Sequence, residues 1–167
     1  MNSPIKNKVL RTCISFLFIV HILILIKFIL LKNPGNLKSH FIDDYSWKLL
    51  KKNVSQGNYI PLYTVKYYLT GTDKMRYTKE NLAGNVFLFF PLGIFFPLLF
   101  NKANHFQRII LISFFISLAF ELIQLFTILG NFDTDDIILN VLGAALGLGV
   151  YLLITELIQY KRVHSSE

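Results

Sequence analysis

Among 167 residues there is a single cysteine, Cys13, so no internal disulfide framework is available, and with only four histidines there is no Cys/His cluster for a zinc-type site. Charge is scarce too. Asp, Glu, Lys and Arg make up 16% of the chain, against roughly a quarter in an ordinary soluble domain. Acids are the scarcer sign, 10 against 17 basic residues, which leaves a formal net charge of +7. Because the basic residues flank apolar runs, their counterparts are anionic headgroups and cytoplasmic loops, and no nucleic-acid partner is expected. HExxH, GxSxG and a phosphate-binding glycine loop are also missing, so no reaction has a motif behind it and no cofactor or metal is expected.

What the chain has in quantity is apolar surface: 53% of residues are hydrophobic and 15% aromatic. At about 20 residues per crossing, a chain of this length makes one domain with room for roughly four spans. The fold class expected is an all-α integral membrane bundle of about four transmembrane helices, with an interfacial helix or loop between the first and second. The first apolar run, Thr12 to Leu31, follows Lys6, Lys8 and Arg11 and ends in Lys32-Asn33-Pro34-Gly35 without a small-x-small cleavage site, which reads as a retained signal anchor. His21 and Lys27 lie within it, Lys27 close enough to the end to snorkel. In the polar segment that follows, Leu37 to Lys52 reads as a short amphipathic helix, and Tyr59, Tyr63, Tyr67 and Tyr68 suit an interfacial belt. The second run, Asn85 to Phe100, contains Pro91, Gly93 and Pro97 and is expected to be kinked or packed inward. The third, Ile109 to Leu129, places Ser113, Ser117, Glu121 and Gln124 on one helical face. The fourth, from near Asp136 to near Tyr160, carries Asn140, Gly143, Ala144 and Gly147, a stripe suited to close helix packing at Gly143 and Gly147.

The N-terminal tail, the 101–108 connection and the tail after Tyr160 carry Lys or Arg, whereas the 130–135 connection carries only acids. The positive-inside rule then puts both termini in the cytoplasm of a multi-pass cell-membrane protein, even though the long first loop is rich in lysine. Glu121 is the most informative residue, because an ionisable group within a span costs about 2.5 kcal/mol or more unless it finds partners. At about 1.5 Å per residue it lies roughly 12 Å below the outer end of its helix, with Gln124 about a turn nearer the surface. Asn81, Asn85, Asp136 and Asn140 fall at similar depths, and Asp133, Asp135 and Asp136 crowd the connection. Three readings stand side by side: capping of the fourth helix by Asp136 or Asp133 with interhelical hydrogen bonds from the rest, a site for a polar headgroup or amphiphile, and catalysis with Glu121 or an aspartate as acid or base.

Asn58-Tyr59-Ile60-Pro61-Leu62, Asn81-Leu82-Ala83-Gly84-Asn85, Phe89-Phe90-Pro91-Leu92-Gly93 with Pro97, Glu121-Leu122-Ile123-Gln124, and Phe132-Asp133-Thr134-Asp135-Asp136-Ile137-Ile138-Leu139-Asn140 with Gly143 and Gly147 together resemble the VanZ-like membrane protein family. The resemblance implies a small bacterial membrane protein, typically Gram-positive, of the family whose namesake lowers susceptibility to the lipidated glycopeptide teicoplanin. It divides the chain into an anchor helix and polar loop (1–57), a VanZ-like membrane domain (58–160) and a short cytoplasmic tail (161–167). The family's recurring polar residues fall on Asn85, Glu121, Gln124, Asp133, Asp136 and Asn140. Many relatives have an arginine shortly before the aspartates, where this chain has Leu129-Gly130-Asn131. The partners implied are the lipid bilayer, a lipidated glycopeptide or lipid-linked cell-wall component, and a second copy or another membrane protein packed through the glycine stripe. An enzyme acting on a lipid-linked substrate is the alternative.

Overall fold

The computed structural model describes residues 7–30, 47–70, 75–100 and 105–164. These residues form six helices: α1 (Lys8–Leu30), α2 (Trp47–Ser55), α3 (Tyr63–Thr70), α4 (Met75–Leu99), α5 (His105–Thr127) and α6 (Thr134–His164). The only bridge among the described residues is an isolated one between Asn58 and Asp133. Four helices are long and apolar enough to cross a bilayer, over Lys8–Ile29, Leu82–Leu99, Phe106–Thr127 and Thr134–His164. Their outward faces carry Phe16, Ile19, Leu23, Phe115 and Leu153, each more than half exposed, and apolar surface of that extent needs lipid to cover it.

The proline-bearing run is not broken. A single helix, α4, continues through Pro91 and Pro97 and begins at Met75, ten residues before the hydropathy rises at Asn85. Pro97 and Gly93 are buried, so this face is turned toward protein rather than lipid, where neighbouring helices can meet backbone groups that proline leaves unpaired. Of the amphipathic stretch expected over Leu37 to Lys52, the described part is helical and extends to Ser55, burying Leu50 and Asn53, while 37–46 lies outside the described residues.

Without a hydrophobic drive between helices in lipid, association depends on close packing, and glycine supplies it. A Cβ placed on Gly143 would lie 2.2 Å from the Val86 carbonyl oxygen, one on Gly147 1.9 Å from the Phe90 carbonyl oxygen, and one on Gly93 2.0 Å from the Ala144 carbonyl oxygen. So α4 and α6 touch backbone to backbone. Since Val86 meets Gly143 and Phe90 meets Gly147, the two helices run parallel. The consecutive spanning pairs α5–α6 and α1–α4 are antiparallel: Ser117 bonds Asn140 between α5 and α6, and Phe18 of α1 packs against Phe95 and Phe96 of α4. Leu25 and Ile29 of α1 close the core over Phe89 and Leu92. His21 is buried in the same seam beside the Phe95 ring, at 5.8 Å between centroids. With four crossings, the start of α1 and the end of α6 lie at one face of the bundle, and α2, α3 and the α5–α6 turn lie at the other.

Candidate functional site

The face opposite the start of α1 and the end of α6 is held by side chains that complete the hydrogen bonding of helix termini. Each helix leaves unpaired amides at its start and unpaired carbonyls at its end, and burial makes them costly. Acidic side chains serve the starts. Asp133 precedes α6 and accepts the Asp135 N–H at 2.8 Å, so of the two aspartates the sequence offers as the α6 cap, Asp133 takes the position. Asp135, fully buried, accepts the Leu62 and Val65 N–H groups at the start of α3, the second at 3.0 Å. Amide side chains serve the ends. Gln124 donates to the Ile29 carbonyl of α1 at 2.7 Å, and Asn53 donates to the Leu125 carbonyl in the last turn of α5 at 3.2 Å and to the Gly130 carbonyl just beyond it at 2.7 Å.

Glu121, only 2% exposed, accepts the Asp133 N–H at 2.8 Å and so fixes the α5–α6 turn from within the bundle. From the other side Asn58 clamps the same turn. Its backbone N–H donates to the Phe132 carbonyl at 2.7 Å, its carbonyl accepts the Thr134 N–H at 2.9 Å, and its Nδ2 donates to Asp133 Oδ1 at 2.9 Å. One segment is thereby gripped by charged and amide groups from α5 and from the 56–62 loop. The residues Leu62 and Ile128, with φ of 63° and 58°, are the non-glycine residues of positive φ among those described, and both flank this turn. Ile128 occupies the left-handed position of a Schellman ending, in which Leu129 N–H bonds the Gln124 carbonyl at 3.0 Å and Ile128 N–H the Leu125 carbonyl at 3.3 Å. A β-branched residue there stores on the order of 1–3 kcal/mol of strain.

The residues singled out in the sequence therefore do not meet in one cluster. Glu121 and Asp133 are joined, and Gln124 turns away to α1. Asn140 donates to Ser117 at 2.8 Å deeper in the bundle, and Asn85 is buried on α4 beside the Val86–Gly143 contact. Asn85 Nδ2, Asn140 Oδ1 and Ser113 Oγ are buried without a hydrogen-bond partner. Asp136 lies half-buried in the first turn of α6, and the Asn81 side chain is outside the described residues. Ser113, Ser117, Glu121 and Gln124 all face inward, on one buried face of α5. Sequence reasoning passed over Asn53 and Asn58 as side chains and gave Asp135 no role. The signal available was weak: Asn58 and Asp135 stand within motifs, but their partners are 70 or more residues away.

The gripped turn walls a cleft of about 590 Å³ lined by Gln56, Asn58, Tyr59, Tyr63, Tyr67, Asn131, Phe132 and Asp133, among others. Tyr59 stacks on Phe132, with centroids 5.4 Å apart and planes 14° from parallel, and anchors its hydroxyl on the Val54 carbonyl at 2.8 Å. Among the described residues, no three His, Cys, Asp or Glu side chains converge as metal ligands. Chemically, the site offers aromatic faces, side-chain amides and one carboxylate, held on a preorganised backbone.

Four apolar helices, caps concentrated at one face and a cleft opening there define a multi-pass helical membrane protein with a cleft at one end of its bundle. Residues 18–155 match the family model VanZ/LLP1, and the chain belongs to that family. The matched region begins inside α1, so it takes in the later part of the first spanning helix as well as the motifs from Asn58 onward. Neither the curated proteins nor the solved structures contain a significant match to the chain.

Proposed function

We propose that this protein works at the outer face of the bacterial cell membrane, with both termini in the cytoplasm, by binding the polar part of a membrane-anchored envelope molecule in the cleft beside the α5–α6 turn. Lowered susceptibility to lipidated glycopeptides of the teicoplanin type is the physiological outcome of this reading. The observation that supports it is the engagement of Glu121: its carboxylate accepts the Asp133 N–H, which fits a residue that positions a binding wall. An acyl chain in the bilayer would bring the head of such a molecule to the depth of the cleft, where only orientation remains to be supplied.

Susceptibility of a sensitive Gram-positive strain tests this, with teicoplanin and vancomycin applied to cells carrying wild-type protein, Glu121→Gln, Glu121→Ala or none, at matched membrane levels. Glutamine retains an oxygen acceptor for the Asp133 N–H and gives up only the charge assistance, a loss of about 1 kcal/mol. Protection is expected against teicoplanin more than vancomycin, retained in large part by Glu121→Gln and lost in Glu121→Ala. Equal protection against both drugs, or none, would remove the glycopeptide reading. Loss in Glu121→Gln as complete as in Glu121→Ala would favour acid–base chemistry at Glu121 instead.

A further inference from the structure

We infer that the cleft recognises an alkylammonium group, of the kind that a phosphate-linked ethanolamine or choline headgroup carries; this rests on the binding reading above and names its ligand class. The lining supplies four aromatic rings, Tyr59, Tyr63, Tyr67 and Phe132, one carboxylate, Asp133, and the amides of Gln56, Asn58 and Asn131, with no Lys or Arg among the described lining residues. In a chain of net charge +7, the lack of basic side chains among the described residues of this wall is a local exception. A cation over an aromatic face is attracted by the ring quadrupole, and a nearby carboxylate adds to that attraction. Anionic heads find no matching charge among the described residues of this wall.

The aromatic groups are also placed for it. Tyr63 and Tyr67 are one turn apart on α3, so they stand along the same side of that helix, and both are more than half exposed rather than used in the core. Opposite them, the Tyr59–Phe132 stack and Asp133 belong to the segment gripped by Asn58 and Glu121, so this wall is set before any ligand arrives. An interfacial belt needs tyrosines at a common depth only. It does not need them around a carboxylate and three amides.

The test uses the full chain in phosphatidylglycerol nanodiscs and follows phosphocholine by saturation-transfer NMR, alongside its isostere with carbon in place of the quaternary nitrogen, and N-acetylglucosamine. Phosphocholine is expected to bind at least about fivefold more tightly than the isostere, which keeps the phosphate and lacks only the ammonium charge. Tyr63→Leu and Tyr67→Leu should each weaken it by about two- to fivefold. Asp133→Asn, which keeps a capping oxygen for α6, should weaken phosphocholine and leave the isostere unchanged. Equal binding of the isostere, binding of the sugar in place of phosphocholine, or no binding of any probe would overturn the inference. Sugar binding alone would do so while leaving the headgroup-binding reading, which the susceptibility test judges separately. Adding phosphatidylethanolamine to the nanodiscs identifies the source: suppression of the phosphocholine signal marks a lipid headgroup, and an unchanged signal marks a soluble phosphoalkylamine.

Discussion

Asp135 illustrates how a buried charge can be accommodated at a membrane surface without an ion pair being needed. Its two carboxylate oxygens take the Leu62 and Val65 amides, so the first turn of α3 is completed by a residue 73 positions away in the chain. Removing that acceptor by Asp135→Ala should cost about 1–2 kcal/mol, concentrated on α3. Amide hydrogen exchange over Tyr63–Tyr67 is then expected to accelerate by about 5- to 30-fold, with the Ala144–Leu148 amides unchanged. Uniform acceleration along the chain would mean that Asp135 supports the whole bundle instead. The role of this residue was not legible in the sequence, because three aspartates in four positions look alike until their partners are known. Asp133, by contrast, stands where an N-cap is expected, immediately before the helix.

Helix α6 carries two glycines two residues apart that make opposite demands. At Gly147 an added methyl group would fall 1.9 Å from the Phe90 carbonyl oxygen, whereas at Gly149 it would meet nothing within 4 Å. Gly147→Ala should therefore force α4 and α6 apart at a cost of at least about 1–3 kcal/mol. Gly149→Ala should stabilise α6 by about 0.5–1 kcal/mol through helix propensity. Unfolding midpoints of the two variants in matched micelles, moving in opposite directions, would bear this out; similar shifts would contradict it. At this scale the spacing of Gly143 and Gly147 marked a packing face in advance, and the inward-facing Ser113–Gln124 face of α5 followed from its period. The inward packing of α4 was expected from Pro91, Gly93 and Pro97, but not its start at Met75, ten residues before the apolar run. Pro91 and Pro97 argue locally for a break, and only the covering helices make an unbroken path through them tolerable.

For the molecule as a whole, hydropathy was enough to locate the crossings, since four long apolar runs have few other solutions in this length. Which helices touch was beyond it. The closest pair, α4 and α6, is not consecutive, and caps such as Asn53 to Leu125 join positions 72 residues apart, where local pattern carries no information. The proposed orientation is open to a direct check in a Cys13→Ser background. Asn131→Cys, exposed beside the cleft, should react with a membrane-impermeant maleimide on intact cells, and Arg162→Cys only after permeabilisation. The reverse pattern would invert the protein, and labelling of both from outside would contradict a membrane-crossing α6.

The parallel contact between α4 and α6 also sets an order of events during biosynthesis. Gly93 is made 54 residues before Gly147, which at about 5–20 residues per second is an interval of roughly 3–10 s. Throughout it, the small-residue groove of α4 has entered the bilayer while its mate is still on the ribosome, and α5 must cross in the opposite direction before the gap can close. Nascent chains arrested short of Thr134 would thus hold an open groove facing lipid, a natural point for a membrane chaperone to engage.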